Sequence, residues 1–107
     1  MIRKTPRLRL GQKERVMMRA AGKFNAQLMD HIRPLVRAGV RTEEINREVH
    51  EFTVGHGHTP ACLNYAGDSV PFPMSCCISV NDVVCHGIPG PYELKDGDIV
   101  NVDLTTI

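Results

Sequence analysis

Cys77-Ile78-Ser79-Val80-Asn81-Asp82-Val83-Val84-Cys85-His86-Gly87-Ile88-Pro89, followed after four residues by Leu94-Lys95-Asp96-Gly97-Asp98-Ile99-Val100-Asn101-Val102-Asp103-Leu104-Thr105-Thr106-Ile107, is the stretch that decides the fold. Cys77 to Val80 is apolar and β-branched, and Asn81-Asp82 is a turn signal. Val83 to His86 reads as a second short strand, closed by Gly87 and Pro89. Lys95-Asp96-Gly97-Asp98 is a turn, and Ile99 to Ile107 alternates with period two. On that last strand Val100, Val102 and Leu104 share one face, and Ile99, Asn101, Asp103 and Thr105 share the other.

Asp103 is the unusual residue of that strand. Aspartate is depleted in strand interiors. A buried carboxylate has to be paired or bound to a cation, because an isolated interior charge is very costly. On residue types alone Asp103 reads first as part of a solvated sheet face. His86, at the end of its strand, reads as a hydrogen-bonded surface residue on the same terms.

Working outward, the chain has 107 residues, 42% hydrophobic and 23% charged, which suits one globular domain. No apolar run is long enough to cross a bilayer. The net charge of +1 is unevenly spread. Up to Lys23 there are eight Lys or Arg against Glu14, whereas from Glu48 onward Lys95 is the only cation against eight acids. The basic start reads as a solvated face or an RNA contact, with no interleaved aromatics to support the latter. It has no apolar core of a secretory signal, and as an organelle presequence it is Arg-rich but Ser-free. Cys62, Cys76, Cys77 and Cys85 lack Cys-x-x-Cys spacing, so they read as free thiols of a reducing cytoplasm rather than a zinc site.

Residues 1–11 read as an irregular arm, and 12–107 as one unit. A helix is expected from about Gln12, with Met17, Ala20, Ala21, Phe24, Leu28, Ile32 and Leu35 as its apolar stripe and Arg15, Arg19 and Lys23 outside. Pro34 and Ala38-Gly39 end it. Thr42 is the expected N-cap of a second helix with Glu43 and Glu44 in its first turn, buried through Ile45, Val49 and Phe52, and stopped by Gly55. His56-Gly57-His58 has no Cys or acidic partner at ligand spacing and reads as an exposed connection. Thr59 to Pro73 is loop-rich, and its Cys62, Tyr65 and Phe72 read by type as core packing. No P-loop or dinucleotide fingerprint is present.

Taken together, the run from Cys77 to Pro89 and that from Leu94 to Asp103 resemble the signature of type I methionine aminopeptidases, with a weaker likeness back to about Arg15. The resemblance implies an α+β class: the N-terminal half of a two-lobed pita-bread domain, two helices packed on an antiparallel sheet. It implies hydrolytic removal of N-terminal methionine from nascent proteins, using two divalent metals (cobalt, manganese, iron, zinc or nickel) that share a bridging water. Asp103 matches a metal-ligating Asp, and His86 a catalytic His facing the scissile amide. Cys62, Tyr65, Phe72 and Cys77 match the pocket for the methionine side chain, whose thioether favours sulfur and aromatic neighbours. Asn81 and Val83 match a turn whose backbone carbonyls hold a monovalent cation. The chain departs from the pattern at Asn64, where the family usually has Gly, and in a longer loop over Gly67 to Pro71. The other metal ligands of the family, one Asp, one His and two Glu, are absent, so the expectation is an N-terminal portion, inactive alone. The likeness also implies a soluble cytoplasmic enzyme, monomeric when complete, that works near ribosomes, which the basic N-terminus could serve. Two alternatives remain from the sequence: a non-catalytic pita-bread module that grips peptides or RNA, and a non-functional product of a disrupted frame. A pure binding module has no need of both His86 and Asp103.

Overall fold

The computed structural model describes residues 9–66 and 70–107. Most of the expected arm, and Gly67 to Ser69 of the long loop, lie outside these residues. The elements in order are α1 (Gln12–Ile32), a 3-10 turn (Arg33–Leu35), α2 (Thr42–Gly55), β1 (Cys77–Val80) and β2 (Val100–Asp103). The strands pair antiparallel, with Cys77 opposite Asp103, Ile78 opposite Val102, Ser79 opposite Asn101 and Val80 opposite Val100. The α+β expectation of two helices on an antiparallel sheet holds.

Helix α1 starts where the Glu14 carboxylate accepts the Gly11 amide at 2.9 Å, and it tightens into the 3-10 turn at Pro34. Phe24, Leu28 and Ile32 are buried, but Met17 and Ala20 are exposed. The stripe is therefore used only over its second half, because no described element covers the first three turns. Helix α2 inserts Ile45 and Val49, and both helices meet Cys76, Ile78, Leu94 and Leu104 in one core. Val80, Val100 and Val102 pack on its margin.

Two helix boundaries differ from the expectation. Thr42 is the first helical residue, not the N-cap; Arg41 is the cap, with its amide held by Glu44 Oε2 at 2.9 Å. The Thr42 hydroxyl turns instead to Gly90, donating to its carbonyl at 3.0 Å and accepting from its amide at 2.9 Å. At the other end Gly55 is still helical, and the left-handed residue that releases the chain is Gly57, at φ +79°.

The expected strand Val83–His86 does not form. Asn81 takes φ +55°, the chain turns with Val83 N–H on the Val80 carbonyl at 3.1 Å, and Val83, Val84 and Cys85 stay exposed. The free edge of β1 gains one main-chain bond, from Ile78 N–H to the Gly87 carbonyl at 2.9 Å. The return bond of a ladder is missing because the Gly87 amide donates to the Ser79 side chain at 3.1 Å.

The last strand is shorter than its alternation suggests. After Asp103 the chain leaves β1 and pairs with residues 59–61: Thr59 and Ile107 exchange bonds of 3.0 and 2.9 Å, and Ala61 N–H reaches the Thr105 carbonyl at 2.9 Å. This partner exchange brings the loop after α2 beside Asp103.

Thr42 ties α2 to the 90–94 loop, so Thr42→Val should leave the Gly90 amide and carbonyl without that partner. The expected cost is about 1–3 kcal/mol of unfolding free energy, with Thr42→Ser close to the unaltered chain. Urea denaturation of the three proteins measures it.

Candidate functional site

Period-two geometry separates the two faces of the ribbon. Ile78, Val80, Val100 and Val102 turn to the helices, and Cys77, Ser79, Asn101 and Asp103 turn away. On that second face Cys77 and Asp103 are direct cross-strand neighbours. Asp103 is exposed, so its charge is solvated, and Cys77 is buried at its side.

A cavity of about 560 Å³ opens over this pair. It is lined by Asp103, Cys77 and Thr105 of the strand region, by Ala61, Cys62, Tyr65 and Phe72 of the loop after α2, and by His86 and Ile88. All six residues expected for catalysis, metal binding and the methionine pocket, His86, Cys62, Tyr65, Phe72, Cys77 and Asp103, therefore line one space. Asn81 and Val83 do not. They lie in the turn after β1, where Asn81 donates to Asp98 Oδ1 at 3.0 Å and accepts from Ile99 N–H at 3.0 Å.

Local backbone explains how each wall is held. Asn64 has φ +64°, a left-handed conformation that Gly or Asn adopts most readily, which gives its substitution for Gly a physical basis. Asn64 N–H donates to the Phe72 carbonyl and Phe72 N–H to the Tyr65 carbonyl, both at 2.8 Å. These two bonds set the Tyr65 and Phe72 rings on the same wall. Cys62 follows Ala61, whose amide is fixed to Thr105. His86, also on the lining, has φ +56°, and Gly87 packs so closely on β1 that a Cβ there would run into the Ile78 carbonyl.

The thiols are kept protonated. Burial first, and then electrostatic coupling to the Cys62 thiol and the Asp103 carboxylate, push Cys77 up to about 11. Burial and Asp103 also raise Cys62. Cys76, on the core side, is pushed up to about 12 by burial. All four cysteines are free thiols.

Ile88, Thr105 and Ser79 were not singled out by sequence reasoning. Thr105 carried a usable signal, since it shares the alternating face of Asp103. Ser79 was hidden in an apolar run. The His56 and His58 rings pack on aromatic rings, His56 with Phe52 and His58 with Phe24, each at 4.2 Å between centroids. Among the described residues no group of three or more His, Cys, Asp or Glu is placed to hold a metal ion. No helix among them is long and apolar enough to cross a membrane.

Comparison with known proteins adds the following. Residues 16–107 match the description of metallopeptidase family M24. The chain is 48% identical over 96 residues to the methionine aminopeptidase of Rickettsia prowazekii, covering 90% of this chain and 36% of that protein. It is 49% identical over 98 residues to the methionine aminopeptidase of Haemophilus influenzae, covering 90% of this chain and 35% of that protein. The crystal structure of the Rickettsia prowazekii enzyme superposes with a TM-score of 0.84 at 46% identity, over 92% of this chain and 38% of that one. The methionine aminopeptidase of Thermotoga maritima superposes at 0.74 and 31% identity, over 81% of this chain and 34% of that one. The chain thus spans little more than a third of the length of these relatives.

Raised thiol pKa values have a definite sign in stability. In the folded chain Cys76 and Cys77 hold their protons to about 12 and 11, whereas an unfolded thiol releases its own near 9.0. The stability they contribute is complete below that ordinary value and is lost as pH rises toward the folded values. Urea midpoints measured under reducing conditions should fall across that alkaline window. The fall should be shallower in a Cys76→Ala, Cys77→Ala double variant; an equal slope in both proteins would contradict the shifts.

Proposed function

The chain belongs to metallopeptidase family M24, and on that premise we propose that it provides the methionine-binding wall and one metal-ligating carboxylate of a methionine aminopeptidase. The observation that carries this reading is the single cavity in which Cys62, Tyr65, Phe72 and Cys77 meet Asp103 and His86. An apolar, sulfur- and aromatic-lined space beside one carboxylate suits a thioether side chain whose peptide ends at a polar centre.

The metal requirement of such a reaction is not met by these residues alone. Among the described residues Asp103 is the only carboxylate lining the cavity, and one carboxylate cannot fill the coordination of two divalent ions. The described residues do not by themselves fit a two-metal centre. What these residues can do is bind and orient. Cys62, Tyr65, Phe72 and Cys77 would exclude water from the methionine side chain and fix the register of the peptide. His86, on the lining of the same cavity, would hydrogen-bond the scissile amide. The divalent metals, the N-terminal methionine of nascent proteins as substrate, and the monovalent cation at the Asn81–Val83 turn are carried over from the resemblance as parts of this proposal.

The test joins these 107 residues to the remainder of the Rickettsia prowazekii enzyme and assays a Met-initiated peptide. Asp103→Ala should lower metal content and turnover together. His86→Ala should leave metal content near normal and lower kcat by about 10²- to 10⁴-fold, as expected for a group acting in the transition state. Loss of metal in His86→Ala would move that residue into the metal shell. Unchanged turnover in both variants would overturn the aminopeptidase reading.

A further inference from the structure

The cavity-facing row of β1 holds two side chains, Cys77 and Ser79. Ser79 is not on the lining of that cavity and is 5% exposed, so its hydroxyl has to be satisfied internally. Its partner is the Gly87 amide, at 3.1 Å. The Gly87 carbonyl is held in turn by Ile78 N–H at 2.9 Å. Both backbone groups of Gly87 are thus fastened to β1, one by the strand's main chain and one by Ser79. The residue cannot move closer, since the space for a Cβ is already filled by the Ile78 carbonyl.

His86 directly precedes this clamp. It is exposed, it stands at φ +56°, and it is on the cavity wall. A left-handed histidine is not held there by its own preference, so the conformation must be imposed by its neighbours. On the other side Cys85, Val84 and Val83 are exposed and belong to no strand. The restraint on His86 therefore comes mainly from Gly87.

We propose that Ser79 is a positioning residue: by anchoring the Gly87 amide, its hydroxyl holds His86 in the left-handed conformation that keeps the imidazole on the cavity wall. This rests on the reading of His86 as the substrate-facing histidine. Ser79 touches no substrate and acts only through Gly87.

The experiment is NMR on the full chain, unaltered and as Ser79→Ala, Ser79→Thr and Ser79→Cys. In Ser79→Ala the Gly87 amide should exchange at least about tenfold faster, as expected when its one hydrogen bond is removed locally. The His86 ring resonances should move toward those of an unrestrained histidine, while those of His50, in the helix layer, stay in place. Ser79→Thr keeps the hydroxyl and should restore both signals. Unchanged Gly87 exchange and His86 resonances in Ser79→Ala overturn the proposal. So does a joint shift of His50 and His86, which marks a general structural role. If Ser79→Ala does not fold, Ser79→Cys, whose sulfur is the weaker acceptor, must give an intermediate displacement of His86, and unaltered values there overturn it. A separate arm titrates L-methioninamide. In the unaltered chain the Tyr65 and His86 resonances should move together; in Ser79→Ala Tyr65 should move with the same midpoint while His86 no longer follows. Failure of L-methioninamide to move any cavity resonance of the unaltered chain instead overturns the methionine pocket itself.

Discussion

The register of the β1–β2 pair is the constraint on which the rest depends. Strand side chains alternate with period two, so a slip of one residue would exchange the faces completely. In the observed register Ile78, Val80, Val100 and Val102 meet the helices, and Asp103 is solvated beside Cys77. One residue out of register, Asp103 would turn from solvent toward the helix-facing, apolar side of the ribbon. The cost of burying that charge fixes where the site lies as firmly as the apolar core does.

The register is held at the end of the ribbon by the Asn81–Asp98 bracket. Asn81 N–H reaches the Ile99 carbonyl at 2.8 Å, and its side chain bonds both Asp98 and the Ile99 amide. Asp98 also accepts from Lys95 N–H at 2.8 Å and from the Tyr92 hydroxyl at 2.9 Å. The Asn81 bond and then the Lys95 amide hold its carboxyl below the usual range. A turn with this many directed bonds permits one pairing of the strands that leave it. Asn81 is thus well accounted for by strand register, whatever else its carbonyl does.

The helices were legible from the sequence because their apolar residues recur at helical spacing, and Phe24, Leu28, Ile32, Ile45 and Val49 of those stripes form the core. Legibility failed where a side chain competed with the backbone. Thr42 carries the signature of an N-cap, yet a more distant partner, Gly90, takes its hydroxyl. Val83 to His86 has strand propensity, yet the Ser79 hydroxyl takes the amide that a ladder requires. Met17 shows that spacing announces an apolar face without saying what covers it. The site was legible in a different way. Cys62, Tyr65 and Phe72 look like core by residue type, and only the resemblance grouped them with Asp103 and His86. The bonds from Asn64 and Phe72 that align those rings cross the loop between them, and loop geometry of that kind leaves no periodic trace in sequence.

The electrostatics of the cavity bear on what its sulfurs are for. None of the described residues that line it is Lys or Arg, and one is Asp103. A nucleophilic cysteine needs a thiolate, and thiolates are favoured by nearby cations or a helix N-terminus. This cavity supplies the opposite: burial and a neighbouring carboxylate raise both Cys62 and Cys77. Neutral thiols are polarizable, weakly hydrogen-bonding and close to apolar in behaviour. Burial, reinforced by the Asp103 charge, therefore keeps the adjacent sulfurs protonated, the state that the proposed packing against an apolar thioether requires.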